Sequence, residues 1–85
     1  MKVKVLFFAA LREQLGVAGE EVELPAGIAT VAALRGHLAR RGGPWQTALA
    51  EKKNVRAAVN HDMAKAGAAI RAGDEIAFFP PVTGG

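Results

Sequence analysis

Only one stretch of this chain is long enough to make a substantial helix, and it stands in the middle. Thr30 is a good N-cap. Val31, Leu34 and Leu38 fall on one stripe at helical spacing. Arg40 and Arg41 oppose the negative dipole end of the last turn, and Gly42-Gly43-Pro44 stops it. The spacing predicts a helix from Val31 to about Arg41. Gly36 inside it costs roughly 1 kcal/mol relative to Ala or allows a close approach to a sheet. Trp45–Leu49 adds a short helical turn.

The other apolar runs are strand-length. Lys2–Ala9 alternates, with Val3, Val5 and Phe7 on one face and Lys2, Lys4, Leu6 and Phe8 on the other. The lysines mark the second face as the wet one. Ala10–Leu15 reads as a short helix stopped by Gly16. Glu21–Leu24 is a second strand ended by Pro25, and the spacing from the first suits an antiparallel pair. Val55–Val59 is a third strand, with Val55, Ala57 and Val59 inward. Asn60-His61-Asp62 is a turn and Met63-Ala64 opens a brief edge strand. Ala72-Gly73-Asp74 is another turn. Glu75–Phe79 is the last strand, with Ile76 and Phe78 on one face and Glu75, Ala77 and Phe79 on the other. One main helix on one face of a small mixed sheet is a two-layer α+β domain. With both chain ends in strands, the β-grasp, or ubiquitin-like, architecture is its natural solution. The expected division is a domain over residues 1–79 and a flexible, extended tail over 80–85.

The chain's 85 residues fit one small domain, and its 51% hydrophobic content argues against disorder. No apolar run is long enough to span a membrane, and the first strand lacks the cleavage pattern of a signal peptide. The expected location is the cytoplasm. The net charge is +3, but Arg40-Arg41 and Lys52-Lys53 are isolated pairs without interleaved aromatics, which reads as solvated charge rather than a nucleic-acid face. The sequence has no cysteine, so disulfides, thiolate metal sites and thiol nucleophiles are excluded together. It has no serine either, which removes serine-based triads. His37 and His61 have no second ligand at metal-like spacing. No phosphate loop or dinucleotide fingerprint is present. The chain carries no catalytic apparatus of its own, and no cofactor or metal is expected on it.

The chemistry is at the end. Pro80 and Pro81 donate no backbone hydrogen bonds, so the sheet ladder stops there. They favour an extended chain rising ~3.1 Å per residue, so the six tail residues reach about 19 Å from the body. Val82 and Thr83 offer branched side chains to a groove. Gly84 and Gly85 offer none, so their backbone enters a narrow channel and approaches a partner's active site closely. A chain-terminal carboxylate has a pKa of roughly 3.3–3.7 and is a poor acyl electrophile as the anion. Activation as an acyl-adenylate is the obvious route. Attack by a sulfur species then gives a thiocarboxylate, and attack by a lysine amine gives an isopeptide. If the first and last strands are neighbours, Phe8 and Phe79 share the face away from the helix and form a partner surface beside this tail.

Three blocks, Lys4-Val5-Leu6-Phe7-Phe8-Ala9 with Arg12-Glu13, Ala57-Ala58-Val59-Asn60, and above all Gly73 through Gly85, resemble the sulfur-carrier subunits of molybdopterin synthase in the ubiquitin-like MoaD/ThiS family. The resemblance covers nearly the whole chain. It implies that an adenylating enzyme related to ubiquitin activators uses ATP and Mg²⁺ to adenylate Gly85. A sulfurtransferase-derived persulfide then leaves a thiocarboxylate there. It implies that Gly84 and Gly85 enter the large synthase subunit, which installs sulfur in cyclic pyranopterin monophosphate during molybdenum cofactor biosynthesis. The implied assembly is a heterotetramer. The implied partner contacts are Phe8, Phe79, Pro80, Pro81, Val82 and Thr83. Asn60–Ala64 and Ala66–Ala69 depart from the family pattern and put the fourth strand's extent in doubt. A thiamine-pathway sulfur carrier, a ubiquitin-like protein modifier and a plain interaction domain are the alternatives.

Overall fold

A computed structural model describes residues 1–81. Its elements run β1 (Lys2–Phe7), α1 (Ala9–Leu15), β2 (Gly19–Glu23), α2 (Val31–Ala39), α3 (Pro44–Leu49), β3 (Arg56–Val59), β4 (Asp62–Ala64) and β5 (Glu75–Phe79). The five strands form one sheet in the order β2-β1-β5-β3-β4. β1 and β5 are parallel, and the other neighbours are antiparallel. This is the mixed sheet the sequence predicts, with the first and last strands side by side.

The helices cover one face. Leu11 and Leu15 of α1, Leu34 and Leu38 of α2 and Leu49 of α3 share one cluster with Val3, Val5, Phe7, Ile76 and Phe78. The strand parity is as expected, because alternate residues of β1 and β5 are buried and the central pair carries the deepest side chains. Phe7 meets Phe78 at 6.3 Å between ring centroids and meets Trp45 edge-on at 5.4 Å.

Thr30 caps α2 as its position predicts, its hydroxyl accepting from the Ala33 N–H at 3.1 Å. The helix is shorter than expected. It ends at Ala39, with Arg40 as C-cap. Arg41 therefore lies beyond the helix and does other work. It donates to Glu20 through both terminal nitrogens, at 3.1 and 2.7 Å, and its guanidinium lies 4.5 Å over the Trp45 ring. That clamp joins the start of β2 to α3. Gly36 does not serve a close approach, since a Cβ built there meets nothing within 4 Å.

The alanine-rich segment after β4 has a structural task. The Val31 and Ala32 N–H groups donate to Ala68 O and Ala66 O at 3.0 and 2.8 Å. A helix start has orphan donors, and here a backbone segment satisfies two of them. The fourth strand itself is three residues long. Its hairpin turns on Asn60 and His61, both at positive φ, as a two-residue type I′ loop requires.

Candidate functional site

Phe8 and Phe79 lie on the same face of the sheet, the one without helices. Phe7 and Phe78 are register partners and point into the core. One residue further on, the Phe8 N–H donates to Phe78 O at 3.1 Å. Phe8 still has extended backbone, φ −126° and ψ 156°, although it no longer belongs to β1. It serves as the N-cap of α1 with no side-chain cap bond. It is 46% exposed, and Phe79 is partly exposed; neither curls into the core.

The register extends this pair into a larger surface. Gly19, Leu6, Ala77, Ala58 and Met63 are successive cross-strand partners from β2 to β4. They form a row of residues without charge that crosses all five strands on the open face. The row depends on Gly19. A Cβ there would stand 2.7 Å from both Leu6 Cδ2 and Val5 O, so any larger residue would push Leu6 aside. Phe8 and Phe79 lie on the tail side of this row. On its other side the partners are Lys4 with Glu21 and Glu75, then Lys2 with Glu23. The face is apolar near the tail and charged away from it. The sequence gives the parity of each strand but not the row, because lateral register is a tertiary property.

Pro80 and Pro81 follow β5 and are partly exposed. Val82, Thr83, Gly84 and Gly85 lie outside the described residues, and with them the expected reactive carboxylate.

At the charged end, Asn60 ties the β3–β4 turn to β5. Its Nδ2 donates to Asp74 Oδ1 at 3.0 Å, and its Oδ1 accepts from the Glu75 N–H at 3.0 Å. The Arg71 N–H also donates to Asp74, at 2.8 Å. The Asn60 hydrogen bond, with the Arg71 N–H second, holds the Asp74 carboxyl below the usual carboxylate range. These residues are structural, as their turn positions indicate.

A groove of about 970 Å³ lies on the helix side, between α2 and β3–β4. Its walls mix alanines of α2 and β3–β4 with charged side chains, among them Arg35, Glu51, Arg56 and Lys65. Its Arg35 is committed to three backbone carbonyls, donating to Leu49 O at 3.0 Å, Ala50 O at 2.5 Å and Lys53 O at 2.7 Å. Among the described residues no group of three or more His, Asp or Glu side chains is placed to hold a metal ion. No helix among them is long and apolar enough to cross a membrane.

Residues 5–85 match the family described as ThiS family. The molybdopterin synthase sulfur carrier subunit of Haemophilus influenzae is 47% identical over 83 residues, which is 98% of this chain and 99% of that protein. The chain belongs to the ThiS family. Two solved structures place the ThiS-family fold in context. A putative molybdopterin converting factor subunit 1 from Pyrococcus furiosus superposes with a TM-score of 0.78 at 33% identity, covering 96% of this chain and 99% of that one. Small archaeal modifier protein 1 of Haloferax volcanii superposes with a TM-score of 0.74 at 29% identity, covering 95% and 98%. The β-grasp architecture expected from the element order is the one these two structures share.

Proposed function

We propose that this chain is the sulfur-carrier subunit of a molybdopterin synthase. The observation that carries the reading is the open face, an apolar row flanked by Phe8 and Phe79 at the point where β5 releases the chain toward Gly84-Gly85. A partner that covers this row receives the tail directly. The 47% identity to a sulfur carrier subunit, over nearly all of both chains, supports the same assignment. The partner is the large catalytic subunit. Phe8, Phe79, Pro80 and Pro81 contact its surface, and Val82 and Thr83 line the entrance to its site.

Gly85 is the reacting residue and Gly84 gives it passage. An oxygen of its carboxylate attacks the α-phosphorus of ATP on a ubiquitin-activator-like enzyme, and pyrophosphate leaves. That enzyme, not this chain, holds ATP and Mg²⁺. A persulfide sulfur then attacks the acyl carbon and AMP leaves. A thiolate then attacks the donor's sulfur in this acyl disulfide; the S–S bond breaks, the thiolate and the donor are joined as a disulfide, and a thiocarboxylate is left on Gly85. The large subunit transfers this sulfur to cyclic pyranopterin monophosphate. The cycle runs in the cytoplasm, where ATP and the reducing thiols that the release step consumes are abundant.

The test is reconstitution with the activating enzyme, ATP, Mg²⁺, a persulfide donor, the large subunit and the pterin precursor. The C-terminal peptide gains the mass of one oxygen-to-sulfur exchange, and dithiolene-bearing pterin accumulates. Deleting Gly85 leaves the fold and large-subunit binding in place and abolishes product. An unaltered terminal peptide in the complete mixture would sink the assignment. A second reading has one specific support, the likeness to an archaeal modifier protein. In that reading Gly85 is joined to lysine amines of other proteins, and lysine-linked adducts replace the thiocarboxylate.

A further inference from the structure

The chain has two sulfur atoms, those of Met1 and Met63, and the fold places them differently. Met1 is 38% exposed, and its ammonium donates to Leu24 O at 3.0 Å and pairs with Glu23 at 3.2 Å. Met63 is 63% exposed, more than Met1 or Phe8. It stands on the edge strand β4 opposite Ala58 and ends the uncharged row of the open face. A thioether this accessible is open to peroxide, and the chain has no cysteine to compete for the oxidant.

We propose that Met63 is an oxidation-sensitive modification site, and that its conversion to the sulfoxide weakens docking of the open face on the large subunit. The proposal rests on the docking reading above. In the step, a lone pair on Met63 Sδ attacks one oxygen of hydrogen peroxide. The S–O bond forms, the O–O bond breaks, and the departing hydroxide takes the proton of the transferred oxygen and leaves as water. Sulfur loses two electrons and the peroxide gains them. The product carries a strong dipole where an apolar thioether stood. Its row neighbours Ala58, Ala77, Leu6 and Gly19 offer no side-chain donor. Covering the sulfoxide therefore strips its hydration without replacement. A methionine sulfoxide reductase reverses the change, so the site is a switch rather than a lesion.

The experiment treats the folded full-length chain with hydrogen peroxide, maps it by peptide mass spectrometry and titrates it calorimetrically against the large subunit of molybdopterin synthase. Met63 gains oxygen before Met1, and Kd rises by about tenfold, the effect of one poorly accommodated polar group. Reductase treatment restores Kd. A Met63→Leu variant, referred to its own untreated sample, shows no peroxide effect. Equal Kd before and after oxidation overturns the proposal. So does failure of the reductase to restore binding, an undiminished peroxide effect in Met63→Leu, or loss of the circular dichroism spectrum on oxidation. If the untreated chain does not bind the large subunit, the docking reading and this proposal fall together. If it binds and oxidation leaves Kd unchanged, only this proposal falls. One added oxygen on Met63 weighs nearly the same as a sulfur-for-oxygen exchange on Gly85. The two modifications are distinguished on their separate peptides.

Discussion

Gly36 is the residue whose two readings the structure separates. A glycine inside a helix either admits a neighbour or weakens the helix, and around this one there is open space. Its cost of roughly 1 kcal/mol relative to alanine is therefore uncompensated. Gly36→Ala raises stability by about that amount in urea unfolding. Asp74 makes a prediction in pH. Its carboxyl is held low by Asn60 and the Arg71 N–H, so the unfolded chain binds its proton more readily than the folded one. The stability it contributes is present above the unfolded value, about 3.9 for aspartate, and is lost as pH falls through the folded value. Asp74→Asn removes that part of the acid sensitivity, which unfolding curves between neutral and acid pH will show. Phe8 is a third case. At an N-cap its aromatic ring satisfies no backbone donor of α1, so its exposure is not explained by the helix it begins.

At the scale of elements, Arg35 holds the connection between α3 and β3. Its three bonds to the carbonyls of Leu49, Ala50 and Lys53 fix a loop that otherwise has few anchors. Arg35→Ala lowers stability by about 1.5–3 kcal/mol, the range for hydrogen bonds to a charged group. Arg35→Lys does not restore it, because an ammonium lacks the planar fork that reaches several carbonyls at once. Thermal unfolding of both variants checks this. None of it is visible in the sequence, where Arg35 is one more cation on a helix. What was legible is what local chemistry dictates. Thr30 marked the start of α2, Gly16 the end of α1, Gly73-Asp74 the turn before β5, and alternation in β1 and β5 told core from open face. What was not legible depends on distant partners. β2 begins at Gly19 rather than Glu21 because Glu20 and Gly19 pair with Val5 and Leu6, and at Gly19 only a residue without a side chain clears Leu6 and the Val5 carbonyl. The role of Ala66–Ala69 is invisible locally because its hydrogen bonds go to the start of α2, about 35 residues earlier in the chain. The Phe8–Phe79 face needed only one assumption, that β1 and β5 are neighbours, and that assumption holds.

At the scale of the whole molecule, the two faces of the sheet divide the work. The helix-covered face supplies the core, and the open face is free to meet another protein. Phe8→Asp tests this division well, since aspartate is a favoured N-cap and relieves rather than strains the start of α1. The variant folds with undiminished stability and loses on the order of 2 kcal/mol of affinity for the large subunit, a hot-spot magnitude. Paired unfolding and calorimetric titration read the two quantities separately. The strand order has a consequence of another kind. β5 is the last strand in the sequence, yet it lies at the centre of the sheet, between the first strand and the third. Chains are synthesised from the amino end, so β1 and β2 wait for their central neighbour, and Ile76 and Phe78 are missing from the core until then. Folding is thereby postponed until β5 has been made, and a chain cut short before Glu75 lacks the strand that joins the two halves of the sheet and has little chance of competing for the partner's surface.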